Sequence, residues 1–294
     1  MGQEKIGFIV DSGSDVPAEL VASHHIKVLP LTVTYQDGRE FDDGDLDLDQ
    51  LYRDIDDQSP KTSLPSGEKI FQAFEELKRA GCTHVIATTI SSALSGTFNS
   101  VRLAALEMAD METFVLDTKS IGIGAGLFMV AACYYLDQGD DFDTICDKLS
   151  RSVDPSHIFF HISTLHYLIK GGRIGKVMGT LGSMLKIQPI ITCDEEGIYT
   201  TVAKFRESRR DNDQRAIDKL LDQVDRVSDK TRTYFVGSSG GSKAAQAKMR
   251  TLSEKLPTIL PHIQANYAVP VSPVLGVHTG PDISGCAIVP VIED

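Results

Sequence analysis

The residues best suited to hold or process a small molecule fall in three short segments. Lys61-Thr62-Ser63-Leu64-Pro65-Ser66, Leu94-Ser95-Gly96-Thr97-Phe98 and His278-Thr279-Gly280-Pro281 each set hydroxyls or an imidazole beside glycine or proline. Each reads as the end of a β-strand. In an α/β protein ligands gather there, because strand ends and helix N-termini present unpaired backbone N–H groups. Hydroxyls together with free N–H groups suit one small anion, a carboxylate or a phosphate. None of these three segments has the G-x-S-x-G spacing of a nucleophile elbow. The residue types therefore point to binding before chemistry.

Each segment also has a plainer reading. Ser95 alone is an ordinary helix N-cap, but Thr89, Ser91, Ser92 and Thr97 crowd the same turn. A turn followed by an N-cap accounts for Ser66, and less well for Thr62 and Ser63, although Ser63-Leu64 leads into a proline that holds the chain extended. A lone histidine is more often structural than functional. His278 at a sharp Gly-Pro turn, after an apolar run read as a strand, is a better candidate. Arg206 ends another strand-like run, with Arg209 and Arg210 close behind, and an arginine at such an end can neutralise a carboxylate.

Other chemistries find little support. Gly122, Gly124 and Gly126 follow a strand-like run, but the third glycine comes one residue too early for a dinucleotide loop. Gly171 to Lys176 lacks the spacing and the Ser/Thr of a phosphate-binding P-loop. The sequence has no H-E-x-x-H and no clustered His/Cys set, so neither metal nor cofactor is expected. Cys82, Cys133, Cys146, Cys193 and Cys286 are scattered, with no CxxC pair, and read as reduced core thiols.

The 294 residues carry a formal charge of -12, which argues against nucleic acid as a partner. At 41% hydrophobic and 24% charged, the composition is that of a globular protein. No apolar run nears the roughly 18 residues that span a bilayer. Asp11 and Asp15 follow the first short strand closely, so no signal peptide and a cytoplasmic location are expected. The charge is uneven: from Pro155 to Cys193 there is no acidic residue, while Lys170, Arg173, Lys176 and Lys186 all lie there. That stretch reads either as chance together with a buried strand or as a docking face for an acidic partner or a phosphate.

Strand-like and helix-like segments alternate through the first half, the pattern of a parallel sheet with crossover helices. Ile6 to Val10, Ile26 to Thr34, Thr83 to Ile90 and Thr113 to Leu116 read as strands. Helical spacing marks the segments after Ser66 and Gly96, and Gly126 to Leu136. A boundary falls at Ser152 to Pro155, dividing the chain into domains 1–154 and 155–294. The second domain alternates less strictly, which predicts a mixed sheet. The expected fold is two-domain α/β, with an N-terminal Rossmann-like parallel sheet and a C-terminal α/β domain.

Taken in order, Asp11-Ser12 with Asp15, Pro30-Leu31, Lys61-Thr62-Ser63 with Pro65-Ser66, Leu94-Ser95-Gly96-Thr97, Asp117 with Lys119-Ser120, Gly171-Gly172-Arg173-Ile174 and His278-Thr279-Gly280-Pro281 resemble the DegV family over nearly the whole chain. The resemblance implies a two-domain α/β protein that holds one long-chain fatty acid, carboxylate at the interdomain cleft and acyl chain buried. It further implies, for bacteria, a binding subunit of fatty acid kinase, which offers the carboxylate to a separate ATP-dependent subunit that makes an acyl phosphate for phospholipid metabolism. On this basis Thr62, Ser63, Ser95, Gly96, Arg206, His278 and Thr279 surround the carboxylate, and Lys170, Arg173 and Lys176 face the kinase. Leu64 stands where the family commonly has Gln. Asp282 follows Gly280-Pro281, and an acidic side chain there weakens anion binding unless it turns to solvent or is paired.

Two other classes of function compete. A serine-dependent hydrolase or transferase would use Ser95 with His278, and it needs a third group to orient the imidazole. A pure interaction module would need no internal apolar cavity.

Overall fold

The computed structural model describes residues 4–181, 187–208 and 210–293. The first half runs β1 (Ile6–Asp11), α1 (Ala18–Ser23), β2 (Lys27–Leu29), β3 (Thr32–Thr34), β4 (Glu40–Asp42), α2 (Leu48–Gln58), β5 (Lys61–Ser63), α3 (Gly67–Arg79), β6 (His84–Thr89), α4 (Thr97–Leu106), β7 (Glu112–Asp117), α5 (Ile123–Gln138) and α6 (Phe142–Ser152). The second half runs β8 (His157–His161), α7 (His166–Lys170), α8 (Val177–Leu181), β9 (Ile187–Cys193), β10 (Tyr199–Arg206), α9 (Asn212–Val227), β11 (Tyr234–Gly240), α10 (Lys243–Lys255), β12 (Ile263–Pro270), α11 (Pro273–Thr279) and β13 (Ser284–Pro290).

Strands β2-β1-β6-β7 form a parallel sheet in that order. Alternate residues of β1 and β6 face opposite sides, as the two-residue period of a strand requires. Ile9, Val85 and Ala87 pack with Phe74 and Leu77 of α3 and Val101 of α4. Phe8, Val10 and Ile86 belong to the other face, with α5. Strands β10-β9-β8-β13-β11-β12 make a mixed sheet, parallel only between β11 and β12. Its outer face carries Phe159, Ile190, Val236 and Ile288 against Ile217 and Leu220 of α9 and Leu252 of α10. Its inner face, with Ile158, Phe160, Phe235 and Val289, joins the core that contains α5.

Helix α5 explains how the two sheets share one interior. It is apolar on all sides and buried nearly throughout, as a helix enclosed by neighbours must be. It touches β1 and β6 of the parallel sheet, and β11 and β13 of the mixed one. Its glycines serve this packing: a Cβ on Gly126 would stand 2.2 Å from the Ser14 carbonyl oxygen. The Gly122, Gly124 and Gly126 run thus brings the start of α5 against the turn after β1.

Two expected elements differ. The β-branched run Ile26 to Thr34 is not one strand: it breaks at Pro30-Leu31, and β2 joins the parallel sheet while β3 joins a small antiparallel sheet, β4-β3-β5. Proline cannot donate a ladder hydrogen bond. Nor does His278 follow a strand, because it lies in the last turn of α11. Ser272-Pro273, an N-cap residue followed by proline at the first helical position, was the local signal for that helix.

Candidate functional site

In the parallel sheet β1 leads out to β2 on one side, and β6 pairs with β1 on the other. The order reverses there, and the carboxyl ends of the strands open a crevice. A cavity of about 260 Å³ occupies it, lined by Leu31 after β2, Ile90, Leu94, Ser95 and Gly96 after β6, and Ile121 after β7. The small sheet adds Thr62, Ser63 and Leu64 from β5 and beyond. Helix α11 adds Val274, Leu275, His278 and Thr279, and the second half also supplies Arg173 and Tyr199.

Six of the expected ligand residues, Thr62, Ser63, Ser95, Gly96, His278 and Thr279, are thereby gathered at one place. Arg206 is not among them. It is exposed at the far end of β10 from Tyr199, roughly 20 Å along the strand. The arginine that lines the cavity is Arg173, with its Nε donating to the Leu94 carbonyl at 3.4 Å and its Nη1 to Gly171 O at 2.6 Å.

Of the basic stretch, the side chains of Arg173 and Lys176 have partners within the protein. Arg173 turns toward the cavity, and Lys176 is held by Asp194 at 2.8 Å and Glu196 at 3.0 Å. Lys170 remains exposed at the end of α7. Lys186 and Arg209 lie outside the described residues. Asp282 is exposed and accepts a hydrogen bond from Ser163 Oγ at 2.6 Å, so it does not line the cavity.

Thr62 Oγ1 and His278 Nε2 are hydrogen-bonded at 2.7 Å. The other ring nitrogen, Nδ1, is buried without a partner and packs against Gly171, where a Cβ would come within 2.1 Å of it. Burial, and secondarily the Arg173 charge, push the His278 pKa down to about 4, so the ring is neutral at pH 7. The tautomer with the proton on Nε2 leaves only a lone pair unserved, the cheaper of the two omissions. His278 then donates to Thr62, and the Thr62 hydroxyl is free to donate into the cavity. Ser95 Oγ bonds Thr97 Oγ1 at 2.8 Å and accepts from Thr97 N at 3.3 Å. Gly96, not Ser95, is the N-cap residue of α4, which has no side-chain cap, and Ser95 borders the cavity.

This geometry does not make a catalytic triad. His278 Nε2 is engaged by Thr62 rather than Ser95, and among the described residues no carboxylate orients Nδ1. Among the described residues no group of His, Cys, Asp or Glu is arranged to hold a metal ion. The five cysteines are unpaired, and burial raises the pKa of each, those of Cys146 and Cys286 to about 12.

Buried aspartates hold the walls of the cavity in position, a role not assigned from the sequence although Asp11 and Asp15 stand in its motifs. Asp11 Oδ2 accepts from Ile90 N at 2.8 Å, fixing the loop that carries Ser95. Asp15 accepts from Ser272 N at 3.0 Å and Asp43 from Val274 N at 2.7 Å, which secures the N-terminus of the helix bearing His278 and Thr279. Carboxylates are favoured at that end of a helix. Burial nevertheless raises the pKa of Asp11 to about 7 and that of Asp43 to about 6, and drives Asp15 well above the ordinary range.

A smaller apolar cavity of about 30 Å³ adjoins the one in the crevice. It shares Ile121, Tyr199, Leu275 and Thr279 with the first, and Ile123, Ile158, Phe160 and Ile283 enclose it between α5 and the mixed sheet.

Fold and site together define the class: a two-sheet α/β protein with a hydroxyl-lined cavity at the carboxyl ends of its parallel strands and apolar space behind it. The family model described as "Uncharacterised protein, DegV family" matches residues 5–291. A DegV domain-containing protein of Clostridium acetobutylicum is 36% identical over 285 residues, covering 97% of this chain and 99% of its own. Two solved structures are similar at 26% identity. One, from Thermotoga maritima and described as revealing fatty acid binding function, has a TM-score of 0.83 and covers 98% of this chain and 100% of its own. The other, a stearic acid-binding protein from Eubacterium ventriosum, has a TM-score of 0.84 and covers 97% and 98%. The chain belongs to the DegV family.

Proposed function

We propose that this protein binds one long-chain fatty acid, with the carboxylate among Thr62, Ser63, Ser95, Gly96, His278, Thr279 and Arg173 and the acyl chain directed inward. The observation that carries the reading is that a cavity bearing hydroxyls, an imidazole and a guanidinium adjoins a small apolar one, the two sharing Ile121, Tyr199, Leu275 and Thr279 as walls. That sequence of surfaces matches an amphiphile. Hydroxyl donors and a guanidinium suit the carboxylate, and each buried methylene contributes about 0.8 kcal/mol. The fatty acids held by the similar proteins support the same ligand class.

The bound carboxylate is then offered to a separate ATP-dependent kinase, which forms the acyl phosphate, with Lys170 at the rim the residue placed to meet it. The division of labour rests on family resemblance and on the lack of a nucleotide-binding loop in the sequence. Titration of delipidated protein with stearate and with methyl stearate tests the binding reading. Stearate should bind and the uncharged ester should bind far more weakly. Equal binding of the two would remove the carboxylate from the account.

A further inference from the structure

On the outer side of the Thr62–His278 pair lies another cavity, of about 270 Å³, which the fatty acid reading leaves unused. Thr62, Arg173 and His278 line both this cavity and the head-group cavity, so these side chains form the partition between them. Lys61 and Lys170 line its outer part. Both are exposed, and among the described residues neither has a carboxylate partner, whereas Lys27, Lys69, Lys78, Lys119 and Lys176 all do. Asp56, itself exposed, accepts from the lining Tyr167 hydroxyl at 3.2 Å. Two unpaired ammonium groups and a guanidinium around one concavity form a local excess of positive charge in a chain of net charge -12.

We propose that this cavity is a second anion subsite, adjoining the carboxylate site and suited to a phosphate group. The inference rests on the fatty acid reading only for what stands across the partition. A tetrahedral dianion presents several oxygens to separated cations, and Arg with Lys is the pairing that recognises it. A single cation would suffice for a carboxylate. The phosphate has two possible sources: one carried on the acyl chain itself, whose added group would project past the head-group site, or free inorganic phosphate bound beside the fatty acid.

The test measures three probes by calorimetry on delipidated full-length protein: stearate, a hydrolysis-resistant long-chain acyl phosphonate, and inorganic phosphate. Each is titrated into wild type, Lys61→Ala/Lys170→Ala and Lys61→Arg/Lys170→Arg. The alanine variant should keep its stearate affinity within about twofold and lose about tenfold or more for a phosphorus probe, and the arginine variant should recover it. Loss confined to the acyl phosphonate identifies the chain-borne group as the source, and loss for inorganic phosphate identifies the free ion. Unchanged affinity for both phosphorus probes, or a parallel loss of stearate, overturns the subsite. Failure of stearate to bind the wild type would instead count against the fatty acid reading, and the inorganic phosphate series would still decide the subsite.

Discussion

Thr62 and His278 are 216 residues apart in the chain, yet their side chains meet at 2.7 Å. The contact closes the crevice at the ends of the parallel strands by joining the small antiparallel sheet to α11. It also sets the direction of donation, since a neutral His278 that donates to Thr62 leaves the Thr62 proton free to donate into the cavity.

On the proposed reading, removing the Ser95 or Thr62 hydroxyl should weaken fatty acid binding. Ser95→Ala and Thr62→Ala each remove a hydrogen bond to a charged group, a loss of about 1.5–3 kcal/mol. A competition assay with a fluorescent fatty acid should show that loss, with the cooperative thermal unfolding of both variants retained. Wild-type affinity in both would place the carboxylate elsewhere.

Gly171 should prove intolerant of a side chain, although it lies outside the expected ligand residues. A Cβ there would stand 2.1 Å from His278 Nδ1, so Gly171→Ala must displace the imidazole. Fatty acid affinity should fall by about tenfold, as for loss of one charged hydrogen bond. Unaltered affinity would show that the imidazole has no fixed role.

The imidazole of His278 should titrate at about pH 4 in ligand-free protein. Its folded value lies below the ordinary 6.5, so folding favours the neutral ring. The contribution to stability is present above pH 6.5 and is lost as pH falls through about 4. NMR of the ring protons checks this, and a midpoint above 6 would contradict the buried, neutral assignment.

Asp11 has the opposite sign. Its folded pKa is raised from 3.8 to about 7, so the native state retains a proton that the unfolded chain releases. That contribution is fully present below pH 3.8 and is lost as pH rises through about 7. Asp11→Asn, which cannot ionise, should gain stability relative to wild type across this window, by up to roughly 4 kcal/mol. Denaturant melts at several pH values measure the difference, and a constant difference would refute it.

The features legible in the sequence were the local ones. The alternating elements, the apolar α5 and the hydroxyl-rich segments follow from periodicity and turn residues. What the sequence hid was distance. Arg206 and Arg173 are both arginines near glycine or a strand end, and only the register of β10 and the turn after α7 decide which one reaches the cavity. The aspartates were visible as motif residues, but their roles depend on amides more than 70 positions away, Ile90 for Asp11 and Val274 for Asp43. From sequence His278 reads as following a strand because Val274 and Val277 are β-branched and Leu275 is apolar, whereas Ser272-Pro273 is the signal that starts a helix there.

The central claim, one fatty acid held per chain, is tested most directly by mass spectrometry of the organic extract of purified, denatured protein. The account predicts a long-chain fatty acid approaching one equivalent per chain. An extract without lipid, together with no uptake of added fatty acid by the refolded or delipidated protein, would contradict it.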